Sequence, residues 1–241
     1  MISNIINFFR CLLLSNTWSA SWFIMACIIS VNIVYHLSKK MNNLIILGFA
    51  IGCYLISLMC SSYYGLTVMI LPATLLPKLT MFCNYFVPAN SFIVALVYIV
   101  MGKIVAEEVL NCKRSILYTK PLMFLCSFWF FFLLLLMVEV FLIRWLVRIN
   151  DAFLFLPLFT LVGFLLLLRL KISIKDNISR VLRNMSILIY ITHAFFVDLF
   201  SACNLLEKGM RSFLVILLIS LLVSSLIVLL AEKIPALRKL Y

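Results

Sequence analysis

Seven long apolar runs separated by short polar gaps organise this chain of 241 residues. They fall at roughly 17–37, 43–60, 89–109, 120–147, 151–170, 184–202 and 211–231. A membrane-crossing helix needs about 20 mostly apolar residues, so each run is expected to form a transmembrane helix. The first, TWSASWFIMACIISVNIVYHL, opens on Trp18 and Trp22 and ends at Lys39 and Lys40, residue types favoured at the membrane–water interface. The fourth, LMFLCSFWFFFLLLLMVEVFLIRWL, is longer than a perpendicular span and must tilt or extend past the lipid. The stretch from Ser61 to Pro88 fits the pattern less well. It carries Pro72, Pro77 and Lys78, and proline breaks a continuous helix. It reads as an extracytoplasmic loop or as a re-entrant or interfacial segment.

Composition turns this pattern into a class. The chain is 66% hydrophobic and 12% charged, with a mean hydropathy of +1.22. Soluble domains are nearer half apolar and a quarter charged, and a soluble core of this size could not hide so many large apolar side chains. The expectation is an all-α integral membrane protein, with residues 1–241 forming a single transmembrane domain. No repeat of 20–50 residues and no Gly/Ser/Pro linker divides it. The loops are too short for a separate soluble catalytic domain, so any chemistry belongs in the membrane or at its edges.

The net charge of +12 does not point to nucleic acid. The Lys and Arg residues lie mostly in the gaps between apolar runs, where they set orientation and meet anionic lipid. Threading the seven runs puts six basic residues on one side (Arg10, Lys78, Arg144, Arg148, Lys208 and Arg211) and fourteen on the other. The positive-inside rule makes the richer side cytoplasmic. The N-terminus is then outside and the C-terminus cytoplasmic. The first twenty residues do not form a signal peptide, because Arg10 interrupts their apolar stretch. The eight cysteines are scattered, with neither a CxxC pair nor His at ligand spacing. No metal is expected.

Ionisable groups inside spans cost a few kcal/mol to insert and are default functional candidates. In NMSILIYITHAFF, from Asn184 to Phe196, a helix turning about 100° per residue places Ser186, Tyr190 and His193 near 0°, 40° and −20°. A hydroxyl, a phenol and an imidazole on one stripe suit proton transfer or the orientation of a polar substrate. The same residue types also bind membrane helices to one another, and spacing leaves both readings open. Glu139 lies deep in the fourth run with Arg144 five residues on; they can pair with each other or with another helix, and a structural ion pair is the favoured reading. Asp198 sits off the stripe and reads as interfacial, as does His36 beside Lys39 and Lys40. Glu107 and Glu108 are adjacent and therefore point apart on a helix; they read as a solvated helix end.

Four stretches together resemble the membrane-bound acyltransferase family 3, which includes polysaccharide O-acyltransferases. Phe8–Ile28 looks like the family's loop into a Trp-Phe-led span. Ser91–Glu108 is similar to its Phe-rich span ending in a glycine, here Gly102. Val181–Phe196 resembles its near-terminal Ser-x-x-x-Tyr-x-x-His signature, on which Ser186, Tyr190 and His193 fall. Val228–Tyr241 looks like the closing segment, with Glu232 and Pro235 in place.

The resemblance implies a ten-helix bundle with both termini cytoplasmic, in the bacterial plasma membrane. This chain would supply its C-terminal part, incomplete at the N-terminus by three helices. An odd number of missing helices agrees with an N-terminus outside. The resemblance further implies acyl-CoA, most plausibly acetyl-CoA, as donor on the cytoplasmic side. The acceptor would be a hydroxyl of a cell-surface glycan or cell-wall precursor. His193 and Tyr190 would handle the proton and position substrate, with Ser186 as their hydrogen-bond partner. Lys103, Lys113, Arg114 and Arg183 are candidates for the CoA phosphates, although orientation and lipid contact explain each of them more simply. The family's early helices carry an Arg and a His that are absent here. The resemblance then implies a truncated or split reading frame, with a separate polypeptide as one source of the missing helices, or a degenerate family member. The alternative is a catalytically incomplete membrane remnant or a non-enzymatic membrane subunit. A transporter is disfavoured, because paired Gly/Pro-broken repeats are not seen among only six glycines.

Overall fold

The structure, a computed structural model, describes residues 21–110, 121–145, 152–170, 175–203 and 209–231. All regular structure among them is helical. The helices are α1 (Ser21–Ser38), α2 (Asn43–Cys60), α3 (Tyr64–Ile70), α4 (Leu76–Phe86), α5 (Phe92–Leu110), α6 (Leu122–Ile143), α7 (Leu156–Arg169), α8 (Asp176–Ala202) and α9 (Met210–Ala231), with a 3-10 turn at Pro88–Asn90. Each of the seven apolar runs carries a helix. Five helical stretches are long and apolar enough to cross a membrane: Asn43–Cys60, Leu76–Val109, Leu122–Ile143, Ile178–Ala202 and Arg211–Ala231. The apolar helices Phe23–Ser38 and Leu156–Arg169 are shorter. The chain divides into two compact units, one holding α1 to α7 and the other α8 and α9.

In the first unit α1 and α2 both pack on α5. Lipid tails are as apolar as leucine, so helices in a membrane associate through close packing and small side chains rather than through a hydrophobic drive. α1 follows this rule: Ala26, Ser30 and Val34, four residues apart, form its buried stripe. The Ser30 hydroxyl donates to the Phe92 carbonyl at 3.2 Å, which satisfies a polar group that lipid could not. On α2 the inward residues are Ile46, Ala50, Tyr54 and Leu58, packed with Val94, Leu96, Val97 and Val100 of α5. Asn42 caps the start of α2, its side chain accepting from the Ile45 amide at 3.0 Å.

The proline-bearing stretch from Ser61 to Pro88 is broken, as its sequence predicts, but it is not a plain loop. It folds as α3 and α4, separated at Pro72, and Pro77 occupies the first turn of α4, where a missing N–H costs nothing. The Tyr64 hydroxyl and the Thr80 hydroxyl lie 3.1 Å apart and join the two short helices. Val87 takes a left-handed backbone, φ 41°, immediately before Pro88, where helical geometry is disfavoured. The expected run at 89–109 therefore starts its helix at Phe92.

α6 packs on α7. Trp129 stacks on Phe159 with ring centroids 5.1 Å apart, and the indole lies directly over Gly163. The far side of α6 presents Phe130, Phe131, Leu134, Phe141 and Leu142 outward, a surface suited to hydrocarbon and not to water. At 14 residues, α7 is about 21 Å long, short of the ~30 Å hydrocarbon layer. The fifth run was expected to fill the layer, and it does not.

In the second unit α8 packs along α9. Thr192 meets Ser224 across the seam, hydroxyl to hydroxyl at 3.4 Å, and Ser220 and Ser224 are fully buried. α8 begins at Asp176, eight residues before the expected start at 184. Its first turns are too polar to register as a membrane run. They are nonetheless helical, with Asp176 at the positive end of the helix dipole.

The Gly163 contact yields a direct test. A Cβ there would sit 2.9 Å from Trp129 Nε1, and the ring is held by its stack on Phe159. Gly163→Ala is expected to destabilise the protein by about 1–3 kcal/mol. Adding Trp129→Leu should remove most of that penalty. Thermal unfolding of the four variants in detergent reads both effects; equal losses in the two backgrounds would show that the indole is not the obstacle.

Candidate functional site

α8 carries the predicted stripe. Ser186 is exposed, and Tyr190 and His193 are half-buried. The Tyr190 and His193 rings lie 5.6 Å apart, tilted by 56°. His193 Nδ1 is 2.9 Å from the Ile189 carbonyl oxygen, one turn back. A carbonyl can only accept, so Nδ1 carries the proton. In the neutral ring the lone pair is then on Nε2. The seam partner Thr192 fixes which face of α8 meets α9. From Thr192, the 100° rotation per residue carries His193, Ser186 and Tyr190 about 100°, 120° and 160° round the helix. The stripe is thus turned away from the α8–α9 seam, and binding these two helices together falls to Thr192, Ser220 and Ser224. Asp198 is exposed, and among the described residues no hydrogen bond ties it to His193.

A second polar cluster lies in the first unit. Glu139 is 4% exposed. Its Oε1 accepts from the Tyr63 hydroxyl at 2.7 Å and from the Leu154 amide at 2.5 Å. Its Oε2 accepts from the Phe155 amide at 3.1 Å. Those amides belong to the turn that starts α7, where N–H groups have no partner within the helix and the helix dipole favours negative charge. Beside them Tyr54 donates to the Phe153 carbonyl at 2.7 Å. Burial first, and then the hydrogen bond and charge of Glu139, raise the Tyr63 phenol above its usual range, so it remains a donor.

Of the expected pairings, the one between Glu139 and Arg144 does not form; Glu139 is held by groups outside its own helix. Five residues along a helix is a turn of about 140°, which separates the two side chains. Arg144 instead covers the rings of Phe141 and Trp145, at 4.8 and 4.5 Å, as a cation at a membrane interface does. Tyr63, and the amides of Leu154 and Phe155, were missed by sequence reasoning. A signal was present in Pro157, which marks a helix start just after a gap, and such a start needs acceptors.

The paired carboxylates also differ from expectation. Glu107 is bound rather than merely solvated: it pairs with Lys103 at 2.8 Å and accepts from Asn43 at 2.6 Å. Lys103 in turn donates to Asn43 at 2.6 Å. This triangle ties the start of α2 to the end of α5 and engages the charge of Lys103, which was one of the candidates for CoA phosphates. Glu108 stays outside the triangle. Lys113 and Arg114 lie outside the described residues, as do Arg10, Glu232 and Pro235. His36 is exposed and meets the Tyr35 ring edge-on at 5.4 Å, and Lys39 stands 4.1 Å over that same ring. Groups of three or more His, Cys, Asp or Glu side chains placed to hold a metal are absent among the described residues.

Helical architecture and long apolar stretches define the class: an all-α, multi-pass integral membrane protein. The chain matches no protein-family model, no curated protein and no solved structure.

The Glu139 cluster makes a graded prediction. Glu139→Ala strips an acceptor from three donors, each worth about 1–3 kcal/mol when left unsatisfied. Glu139→Gln, with its amide oxygen in the Oε1 position, keeps the Tyr63 and Leu154 bonds and loses only that of Phe155. Stability against denaturant should therefore fall in the order wild type, Gln, Ala, and amide exchange at Phe155 should accelerate in both variants. An alanine variant as stable as wild type would show that the cluster does not hold α7.

Proposed function

We propose that the chain is an integral-membrane acyltransferase that transfers an acyl group, acetyl from acetyl-CoA, to a hydroxyl of a cell-surface glycan or cell-wall precursor. In this reading it lies in the bacterial plasma membrane with its C-terminus cytoplasmic and its N-terminus outside. It forms the C-terminal part of a ten-helix bundle of the family-3 type, whose early helices complete the site. The reading rests on the Ser186–Tyr190–His193 signature. The observation that carries it is the hydrogen bond from His193 Nδ1 to the Ile189 carbonyl.

With Nδ1 protonated, Nε2 is the free base. It takes the proton of the acceptor hydroxyl as that oxygen attacks the thioester carbonyl. The C–O bond forms, the C–S bond breaks, and the proton passes from the imidazolium to the departing thiolate. The Tyr190 phenol, on the same face, is placed to donate to the oxyanion that develops on the carbonyl. Ser186 has no base–acid pair to activate it as a nucleophile and serves as a hydrogen-bond partner to substrate.

Acetylation of the surface glycan, followed by mass spectrometry in cells producing the chain together with the early helices, tests this reading. His193→Ala should lower acetylation by about a hundredfold or more, the scale of a lost general base. Tyr190→Phe should cause a smaller loss and Ser186→Ala the least. Undiminished acetylation by His193→Ala at matched membrane levels would overturn the assignment.

A further inference from the structure

A half-enclosed groove of about 370 Å³ runs between α2, α5 and α7. Its walls are aliphatic side chains apart from Tyr54 at one end and Glu108 at the other. At a rise of about 1.5 Å per residue, the wall from Leu47 to Leu55 is about 12 Å long and that from Val97 to Glu108 about 16 Å. One leaflet of hydrocarbon is about 15 Å deep, half of the ~30 Å layer. The groove is therefore about as long as one leaflet is deep, and its aliphatic lining suits one hydrocarbon chain laid along it.

The polar groups set the direction of that chain. At the Tyr54 end the hydroxyl is engaged by the Phe153 carbonyl, and no other polar side chain lines the groove there. Glu108 stands two residues from the end of α5, beside the triangle of Asn43, Lys103 and Glu107. Within the triangle the charge of Glu107 is matched by Lys103. Among the described residues Glu108 has no ion pair or hydrogen bond. An anionic head group would meet this carboxylate with like charge; a head bearing N–H donors and positive charge would complete it.

We propose that this groove binds one acyl chain of a phospholipid whose head ends in a primary ammonium group, with the tail between α2, α5 and α7 and the ammonium on Glu108. The proposal is independent of the acyl-transfer reading, since it uses neither His193 nor Tyr190.

The test uses the full chain in phosphatidylcholine vesicles doped with a phosphatidylethanolamine or a phosphatidylglycerol that carries a photoactivatable diazirine in its tail. Cross-linked residues are mapped by mass spectrometry. The ethanolamine lipid should label the walls of the groove about fivefold more than the glycerol lipid, the discrimination of about one charge at a membrane surface. Glu108→Gln should equalise the two lipids, and Glu108→Lys should reverse the preference. These substitutions lie at a partly exposed helix end and leave the packing intact. Leu161→Trp, which fills the groove, should suppress labelling by both lipids while Glu108 is untouched. Equal labelling of the wild-type groove by the two lipids, a preference that survives Glu108→Gln, or labelling indifferent to Leu161→Trp would each overturn the proposal.

Discussion

Everything in the first unit turns on how α7 begins. A helix start exposes N–H groups that need acceptors, and inside a membrane protein water is not there to supply them. Glu139 supplies them, reaching across from α6 to the Leu154 and Phe155 amides. Its remaining hydrogen-bonding capacity draws in the Tyr63 hydroxyl, which fixes the corner where α2 ends. The Phe153 carbonyl in the same turn takes the Tyr54 hydroxyl. One turn of backbone thus binds α2, the Ser61–Tyr63 corner, α6 and α7. A carboxylate buried in an apolar span is costly alone; here the positive end of a helix and three donors receive it.

The opposite end of α2 is tied by a different device. Asn43 sits between Lys103 and Glu107, and each side chain satisfies the other two. A closed triangle of this kind is partly screened by water at a helix end, so it adds less stability than the Glu139 cluster. Its effect is on spacing. With α2 held to α5 at one end by the triangle and to α7 at the other by Tyr54, the three helices frame a groove they do not fill. The groove is a consequence of two polar ties placed about one leaflet apart.

The apolar runs make the helices legible in the sequence, because lipid demands long stretches without charge. The limits of that signal are equally physical. Hydropathy counts residues and not hydrogen bonds, so the run at 151–170 looked like a full span although α7 uses only Leu156–Arg169. The polar start of α8, Asp176 to Arg183, was invisible to it for the reverse reason. Pro72 and Pro77 signalled breaks but could not tell that α3 would form before Pro72 and α4 would start around Pro77. Glu139 stood out at once as an odd residue in lipid. Its partner did not, because Tyr63 is 76 residues away in the chain while Arg144 is conspicuous and near. Spacing alone put Ser186, Tyr190 and His193 on one face. It could not tell which nitrogen of His193 carries the proton, since that depends on the Ile189 carbonyl.

The second unit bears on two explanations that the sequence left level. Polar residues in spans either bind helices together or await a ligand. Here the first task has its own residues: Thr192 touches Ser224, and the small side chains of Ser220 and Ser224 let the backbones close. The stripe of Ser186, Tyr190 and His193 is turned about 100–160° from that contact. Moving an imidazole into a span costs free energy, and nothing in the α8–α9 seam requires it. The tautomer set by Ile189 keeps one nitrogen of that ring engaged and leaves the other to face whatever comes to the stripe. The same carbonyl bond that holds the ring against the helix leaves the lone pair of the neutral ring on Nε2 rather than on Nδ1.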